Sequence, residues 1–387
     1  MDSPTSQEPI EIRVDGDFEA CSAWWHDLQN GAVASPYQRH CWTRAWWAHC
    51  EARNRGNLRI VSLFREGTPL AVMPLVLERS LGLNVAYPVG ARHFNWQIPL
   101  WNSVSVARLT ALERDHLMQR IGAVISADTI VYPNMPETWS GRENPFLAPG
   151  ATPSPSASYR LDLQPDFEAL ALARRSRKAL KLLRRKRAHL ENAAGPVQFR
   201  RARDIATCRR VLLAAIAQRD ARKQACGIPS FFDRPGAAAF MQELLEAGCE
   251  KTIRDAPMSA FHLLAGDDII ATYFGVCLNG DFSCFTNSFD MAYEKFSPGD
   301  LALHDLIAHA CAEGLTGLDL GVGDERYKQA WCDPITLCES STAITARGRI
   351  YDRALRFSRD GKRAFKQNRR LWDGWRAVRR VAARAFA

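Results

Sequence analysis

The sequence predicts a mixed α/β (α+β) protein of two lobes, each a mixed sheet flanked by helices, followed by a basic helical tail. Three observations predict it. The chain has 387 residues, and at ~100–200 residues per domain that suits two lobes. Strand-like runs alternate with helical periodicity on both sides of a Pro-, Ser- and Gly-rich stretch at 133–158. Residues 347–387 hold 14 Lys/Arg against three Asp.

Composition narrows the class. A chain 47% hydrophobic and 24% charged can build cores and is not a disordered polymer. No apolar run approaches the ~18 residues of a membrane span. The opening MDSPTSQEPIEIRVDG has no basic segment followed by an apolar one, so no secretory leader is expected and the cytoplasm is the expected compartment. Eleven cysteines without CxxC spacing argue for reduced thiols and against a zinc or thioredoxin-like site; no metal is expected.

The first lobe is expected over 1–158, linker included. It opens with Trp-rich helical segments, CSAWWHDLQN and QRHCWTRAWWAHC. Leu58 to Phe64 and Leu70 to Leu77 read as a hairpin turning at Glu66-Gly67, and Asn84 to Val89 as a third strand. The polar-aromatic RHFNWQIPLW follows, then a helix over 107–126 and a short strand from Thr129 to Tyr132.

The second lobe is expected over 159–346. A strand at Tyr159 to Leu163 leads into a single basic helix over 165–192, with Pro165 in the first turn and Asp166 and Glu168 at its positive end. Then come a strand at 197–203, helices from Ile205 to about Arg222 and from Ala237 to Ala247, and a three-stranded meander. Its turns fall at Gly266-Asp267 and Asn279-Gly280, where φ > 0 is tolerated. A helix from Ser297 to Glu313, a strand from Gly317 to Leu320 and a helix from Asp324 complete the lobe. His262, in an apolar strand, reads as a core residue.

Charge is concentrated rather than spread. Residues 174–190 carry nine Lys/Arg and no acid, and the tail adds a net +11, so the rest of the chain is acidic although the whole is +9. A general nucleic-acid binder spreads basic charge over its surface.

Two segments can carry chemistry. In FDMAYEKFSPGDLALHDLIAHACAEG, Ser297 can cap a helix, Pro298 suits its first position and Gly299 keeps the approach clear. A helix N-terminus there, Ser297-Pro298-Gly299-Asp300-Leu301, offers N–H groups to a pyrophosphate; an ordinary capped helix gives the same letters. In GLDLGVGDERYKQAW, Asp319 sits in a short strand, Gly321 and Gly323 loosen its exit, and Asp324, Glu325, Tyr327 and Lys328 crowd the next turn. A carboxylate such as Asp319 can accept a proton from an attacking amine, and a tyrosine such as Tyr327 can protonate a leaving thiolate. Glu325 and Lys328 are candidate substrate contacts, Lys328 to a phosphate or carboxylate. In the first lobe His93, Asn95, Trp96 and Gln97 could line an acceptor pocket, an aromatic face for a sugar with polar groups for its hydroxyls; a surface turn over a buried Trp96 is the alternative.

These motifs resemble a known family. Phe296-Ser297-Pro298-Gly299, then Gly317, Asp319, Gly321, Gly323, Asp324, Glu325, Tyr327, Lys328 and Trp331, resemble the bacterial GNAT subfamily named after a cellulose-biosynthesis acetyltransferase, itself related to Fem-type transferases. The likeness covers roughly 30–345, with SPYQRHCWTRAWW matching the opening segment. It implies two tandem GNAT-like lobes, the first degenerate, and acetyl-CoA or another acyl-CoA as co-substrate. The usual Q/R-x-x-G-x-G/A phosphate loop is absent, and Ser297-Pro298-Gly299 stands in its place. The resemblance further implies N-acyl transfer to an amino sugar or polysaccharide precursor, free or lipid-linked, in exopolysaccharide synthesis. The alternatives are a Fem-type aminoacyl-tRNA-dependent transferase, in which the basic helix would touch RNA, and a non-catalytic GNAT-like binding protein. The tail, with Leu371, Trp375, Val378, Ala382 and Phe386 at helical spacing among arginines, reads as packed on a lobe, as a peripheral anchor to an anionic membrane surface, or as a cyclic di-GMP site.

Overall fold

A computed structural model describes residues 9–51, 56–91, 93–102, 111–139 and 141–368. The chain divides into two compact units, one of 1–155 and 336–361, the other of 156–335 and 362–387.

In the first unit, strands β1 (Glu11–Asp15), β2 (Leu58–Arg65), β3 (Thr68–Ser80), β4 (Leu83–Pro88), β5 (Leu100–Trp101), β6 (Thr129–Pro136), β7 (Thr138–Trp139), β8 (Arg142–Glu143) and β9 (Thr152–Pro153) accompany helices α1 (Phe18–Gln29), α2 (His40–Cys50) and α3 (Ala111–Val124). The second unit holds β10 (Ser158–Asp162), α4 (Phe167–Arg174), α5 (Arg177–Ala194), β11 (Val197–Arg201), α6 (Ile205–Cys226), α7 (Ala237–Glu246), β12 (Ser259–Ala265), β13 (Asp268–Leu278), β14 (Asp281–Phe289), α8 (Pro298–Ala312), β15 (Gly317–Val322), α9 (Arg326–Gln329) and β16 (Asp333–Ile335). The chain then adds β17 (Leu337–Ala343) and α10 (Ala346–Gln367).

The two sheets repeat one plan. In the first, β1-β2-β3-β4 run antiparallel, β4 pairs in parallel with β6, and β17 lies antiparallel beside β6. In the second, β11-β12-β13-β14 run antiparallel, β14 pairs in parallel with β15, and β10 lies antiparallel beside β15. Each unit is therefore a strand, two helices, a meander, a helix and a parallel strand, as expected of tandem copies. The strand at 337–343, expected within the second lobe, instead hydrogen-bonds into the first sheet.

Three further expectations change. Most of 133–158 is not a linker: Trp139 is buried and donates from Nε1 to Ala34 O at 2.8 Å, and Phe146 stacks edge-on to Trp101. Aromatic burial outweighs the Pro and Gly content, and within this stretch the boundary between units falls at Pro155-Ser156. The basic helix over 165–192 is two helices. Asp166 caps α4 by accepting from Ala169 N, Arg175 is extended, and Ser176 caps α5 by accepting from Ala179 N. The tail does not begin as a separate arm: Ser341 donates to Asp352, Arg359 pairs with Glu339 at 2.9 Å, and Arg356 donates to Gly150 O at 2.8 Å. The positions from Leu371 to Phe386 lie outside the described residues.

The second unit's core carries Leu180, Leu183 and Leu190 of α5, Phe261 and Tyr273 of the meander, and Leu301, Leu306 and Ile307 of α8. The spacings of three and seven on α5 turn Leu180, Leu183 and Leu190 inward while Arg177, Lys178, Lys181, Arg184 and Arg185 stay exposed.

Candidate active site

The site grows from the place where β14 and β15 part. Asn279 and Gly280, both at positive φ, turn β13 into β14. Only Asp281, Phe282 and Ser283 pair in parallel with Gly317, Leu318 and Asp319. Beyond them β14 continues to Phe289 and β15 to Val322 without pairing to each other. A register shift between Phe274 and Gly275 makes Phe285 the extra residue of a bulge that bends β14. Gly317 opens β15 because a Cβ there would overlap the Arg160–Asp281 ion pair, which is closed by two hydrogen bonds of 3.0 and 3.1 Å. The widening gap exposes backbone N–H and C=O groups to an extended, amide-bearing ligand.

At one end of the gap stands α8. Ser297 precedes it at φ 56°, ψ 56°, with no side-chain cap. Asp300 N and Leu301 N donate to Ser297 O at 3.0 and 3.1 Å, and Pro298 has no N–H, so Gly299 N–H is the first-turn donor outside this turn. The anion site expected at Ser297–Leu301 is thus narrower than a run of free amides, and the buried Pro298 and Leu301 side chains take no part. Charge comes from α5 instead, where Lys186 donates to Ser297 Oγ. Asp300 is not available as a ligand, because Arg175 grips it with two hydrogen bonds of 3.1 and 3.3 Å and also lies over the Trp331 ring.

The exit of β15 lies at the same, C-terminal end of the parallel pair. Asp319 is 1% exposed and accepts from Ser158 Oγ at 3.1 Å and from Gly321 N at 2.9 Å. The expected proton acceptor is therefore a buried carboxylate that shapes the strand exit and does not meet solvent. Lys328 is 4% exposed; it donates to Gly321 O and Val322 O at 3.3 and 3.0 Å and pairs with Glu325 at 2.9 Å. The structure thus corrects its expected role at a substrate phosphate or carboxylate: the ammonium is spent on internal oxygens. Glu325, by contrast, is largely exposed, and Tyr159 donates to Asp324 at 3.1 Å.

Tyr327, the expected proton donor, lies on α9. Its hydroxyl accepts from Asn287 Nδ2 at 3.4 Å, and burial first, then Glu325, pushes its ionisation above the ordinary phenol range. A half-buried neutral tyrosine is able to donate a proton. Tyr273, raised further by burial, reaches Gly299 O at 3.4 Å and so links β13 to the α8 end. On α6, Arg219 donates to Thr286 Oγ1 at 2.9 Å.

The four first-unit candidates divide. Trp96 is fully buried against Trp139 at 4.4 Å, and Gln97 donates to Gly90 O; both are core residues and cannot line a pocket. His93 stacks on Trp46 at 5.1 Å, and Asn95 donates to the Tyr37 hydroxyl at 3.0 Å. Sequence reasoning missed Arg219, Thr286, Asn287 and Tyr273, which lie in elements read only as helix or strand, and it treated Arg175 and Lys186 as mere charge. Among the described residues no group of His, Cys, Asp and Glu could hold a metal.

Comparison with known proteins agrees with this geometry. Residues 177–329, from α5 through α9, match the model of an acetyltransferase (GNAT) domain. The structure of FemX is similar over 88% of this chain and 99% of its own, at 9% identity and a TM-score of 0.57. A conserved protein from Bacteroides thetaiotaomicron VPI-5482 is similar over 86% of this chain and 98% of its own, at 11% identity and a TM-score of 0.52. The DUF2156 domain of an Agrobacterium fabrum protein is similar over 89% and 96%, at 10% and 0.52. No curated protein matches. At these identities the structures speak for the fold, and the domain match shows that residues 177–329 are similar to an acetyltransferase (GNAT) domain.

Proposed function

We propose that this protein transfers an acyl group, acetyl being the simplest, from acyl-CoA to the amine of an amino sugar or polysaccharide precursor. The observation that carries the acyl-transfer reading is the parting of β14 and β15 after Ser283 and Asp319, with the α8 N-terminus and Lys186 following β14 and Tyr327 following β15. The pantetheine arm, itself a chain of amides, would pair with the freed backbone, and its phosphates would face Gly299 N–H and Lys186. The acceptor amine attacks the thioester carbonyl. A C–N bond forms while the oxyanion is held by β14 N–H groups beyond Ser283. Collapse breaks the C–S bond, Tyr327 gives its proton to the departing thiolate, and the surplus proton of the acylated nitrogen, carried by water, restores the phenol. Asp319 positions this machinery through Gly321 and Ser158. The sugar-type acceptor and an exopolysaccharide role rest on the motif resemblance from Phe296 to Trp331.

Calorimetry with acetyl-CoA and CoA on the full chain, followed by thiol release with glucosamine-type acceptors, tests the reading. Tight CoA binding and acceptor-dependent thiol release are expected; absence of CoA binding would overturn it. The aminoacyl-tRNA alternative gains nothing from α5, which packs on β11, β12 and α8 inside its unit and forms no two-helix arm.

A further inference from the structure

The buried stripe of α6 runs through Cys208, Val211, Leu212, Ala215 and Gln218. Arg219 extends it, four residues beyond Ala215. Its neighbour Gln218 fixes the helix on the meander, donating to Ile269 O at 2.7 Å and accepting from Ser288 Oγ at 2.6 Å. Arg219 is thereby carried to β14 just past the Phe285 bulge, where its Nη2 reaches Thr286. Its Nε is buried with no hydrogen-bond partner, and among the described residues no carboxylate lies within ion-pair distance of it. Its charged neighbour on α6 is Arg222, which lies over the Phe289 ring at 5.6 Å. Burial, then Arg222, depresses its basicity, and Tyr327 and Glu325 offset this only in part. A half-buried cation beside the reacting gap, with its Nε–H unfilled, is half of an ion pair.

We infer that Arg219 binds a carboxylate of the acceptor, so that the acyl group passes to an amine whose own molecule carries an acid, either an amino acid or an acidic amino sugar. The inference rests on the acyl-transfer reading and deepens it. The Nε and Nη2 edge of an arginine matches two carboxylate oxygens side by side, a geometry an ammonium cannot copy. Thr286 orients that edge. The acid would sit on the α6 face of β14 and anchor the acceptor while its amine reaches the gap between β14 and β15.

The test uses the full chain loaded with CoA and two pairs of product mimics. N-acetylglycine is titrated against N-acetylglycinamide, and N-acetylmuramic acid against N-acetylglucosamine. The acid of one pair is expected to bind roughly 10–100-fold more tightly than its neutral partner, and the pair that responds tells amino acid from sugar. Arg219→Gln should erase the preference while CoA affinity stays at the wild-type value. Arg219→Lys, which keeps the charge and loses the fork, should erase most of it, and it serves in place of the glutamine variant if that one misfolds. Equal binding of acid and neutral mimics in both pairs, or a preference that survives in Arg219→Lys, would overturn the carboxylate inference. Failure of the wild type to bind CoA would instead overturn the acyl-transfer reading itself.

Discussion

Lys328 separates a structural cation from a ligand-binding one, and Lys328→Met decides between them. Methionine keeps the length and packing of the stem and removes the ammonium. Two charge-assisted hydrogen bonds to Gly321 O and Val322 O are lost, each worth ~1.5–3 kcal/mol. Water reaches the partly buried Val322, and removal of a 4% exposed ammonium relieves its own desolvation. The Glu325 partner, with a side chain 54% exposed, is solvated without its lysine and adds little. The net loss comes to about 2–3 kcal/mol, or a fall in melting temperature of roughly 5–10 °C for a unit of this size. Thermal and urea unfolding of the full chain measure it, and calorimetry with CoA provides the control. Unchanged stability together with a tenfold or greater loss of CoA affinity would refute the reasoning and return Lys328 to the role of phosphate ligand.

Three other outcomes follow from the same geometry. Tyr327→Phe should lower kcat by ~10²–10⁴-fold with donor affinity unchanged, and because burial raises the phenol's pKa, the wild-type rate should show no loss of this acid across the ordinary tyrosine range; single-turnover thiol release over a pH series checks both. His262 is buried on β12, and burial, with Arg210 and Arg200 adding, holds its pKa down to about 4. The unfolded chain therefore takes up that proton first: stability from neutral His262 is complete above pH ~6.5 and drains away as pH falls toward ~4. In His262→Gln the acid-side loss of unfolding free energy should be smaller by roughly 2 kcal/mol, a value discounted for residual screening. Gly317→Ala forces the Arg160–Asp281 pair to move and should cost about 1–3 kcal/mol; in an Asp281→Ala background the penalty should shrink, and an undiminished penalty in the double variant would show that the clash lies elsewhere.

Local chemistry made much of this molecule readable in one dimension. Hairpin turns at Glu66-Gly67, Gly266-Asp267 and Asn279-Gly280 follow from residues that tolerate positive φ. The α8 start follows from Pro298, and the parallel strand after it from alternating Gly317-Leu318-Asp319-Leu320. Together with the run from Phe296 to Trp331, these sufficed for a two-lobe α/β plan and for the region of the reacting gap. Side-chain roles were not legible, because they depend on what lies opposite in space. Asp319 and Lys328 look like site chemistry as letters, and tertiary packing turned them inward onto Ser158 and the strand-exit carbonyls. Ser176 looks like one polar position in a basic run, and its hydroxyl, capping α5, ends one helix and begins another. Arg219 looks like a surface charge on a helix, and only the fold of α6 against β14 buries its Nε with no acceptor. Which sheet receives the strand at 337–343 was likewise decided by backbone hydrogen bonding across long sequence separation, to which hydrophobic period and turn chemistry are blind.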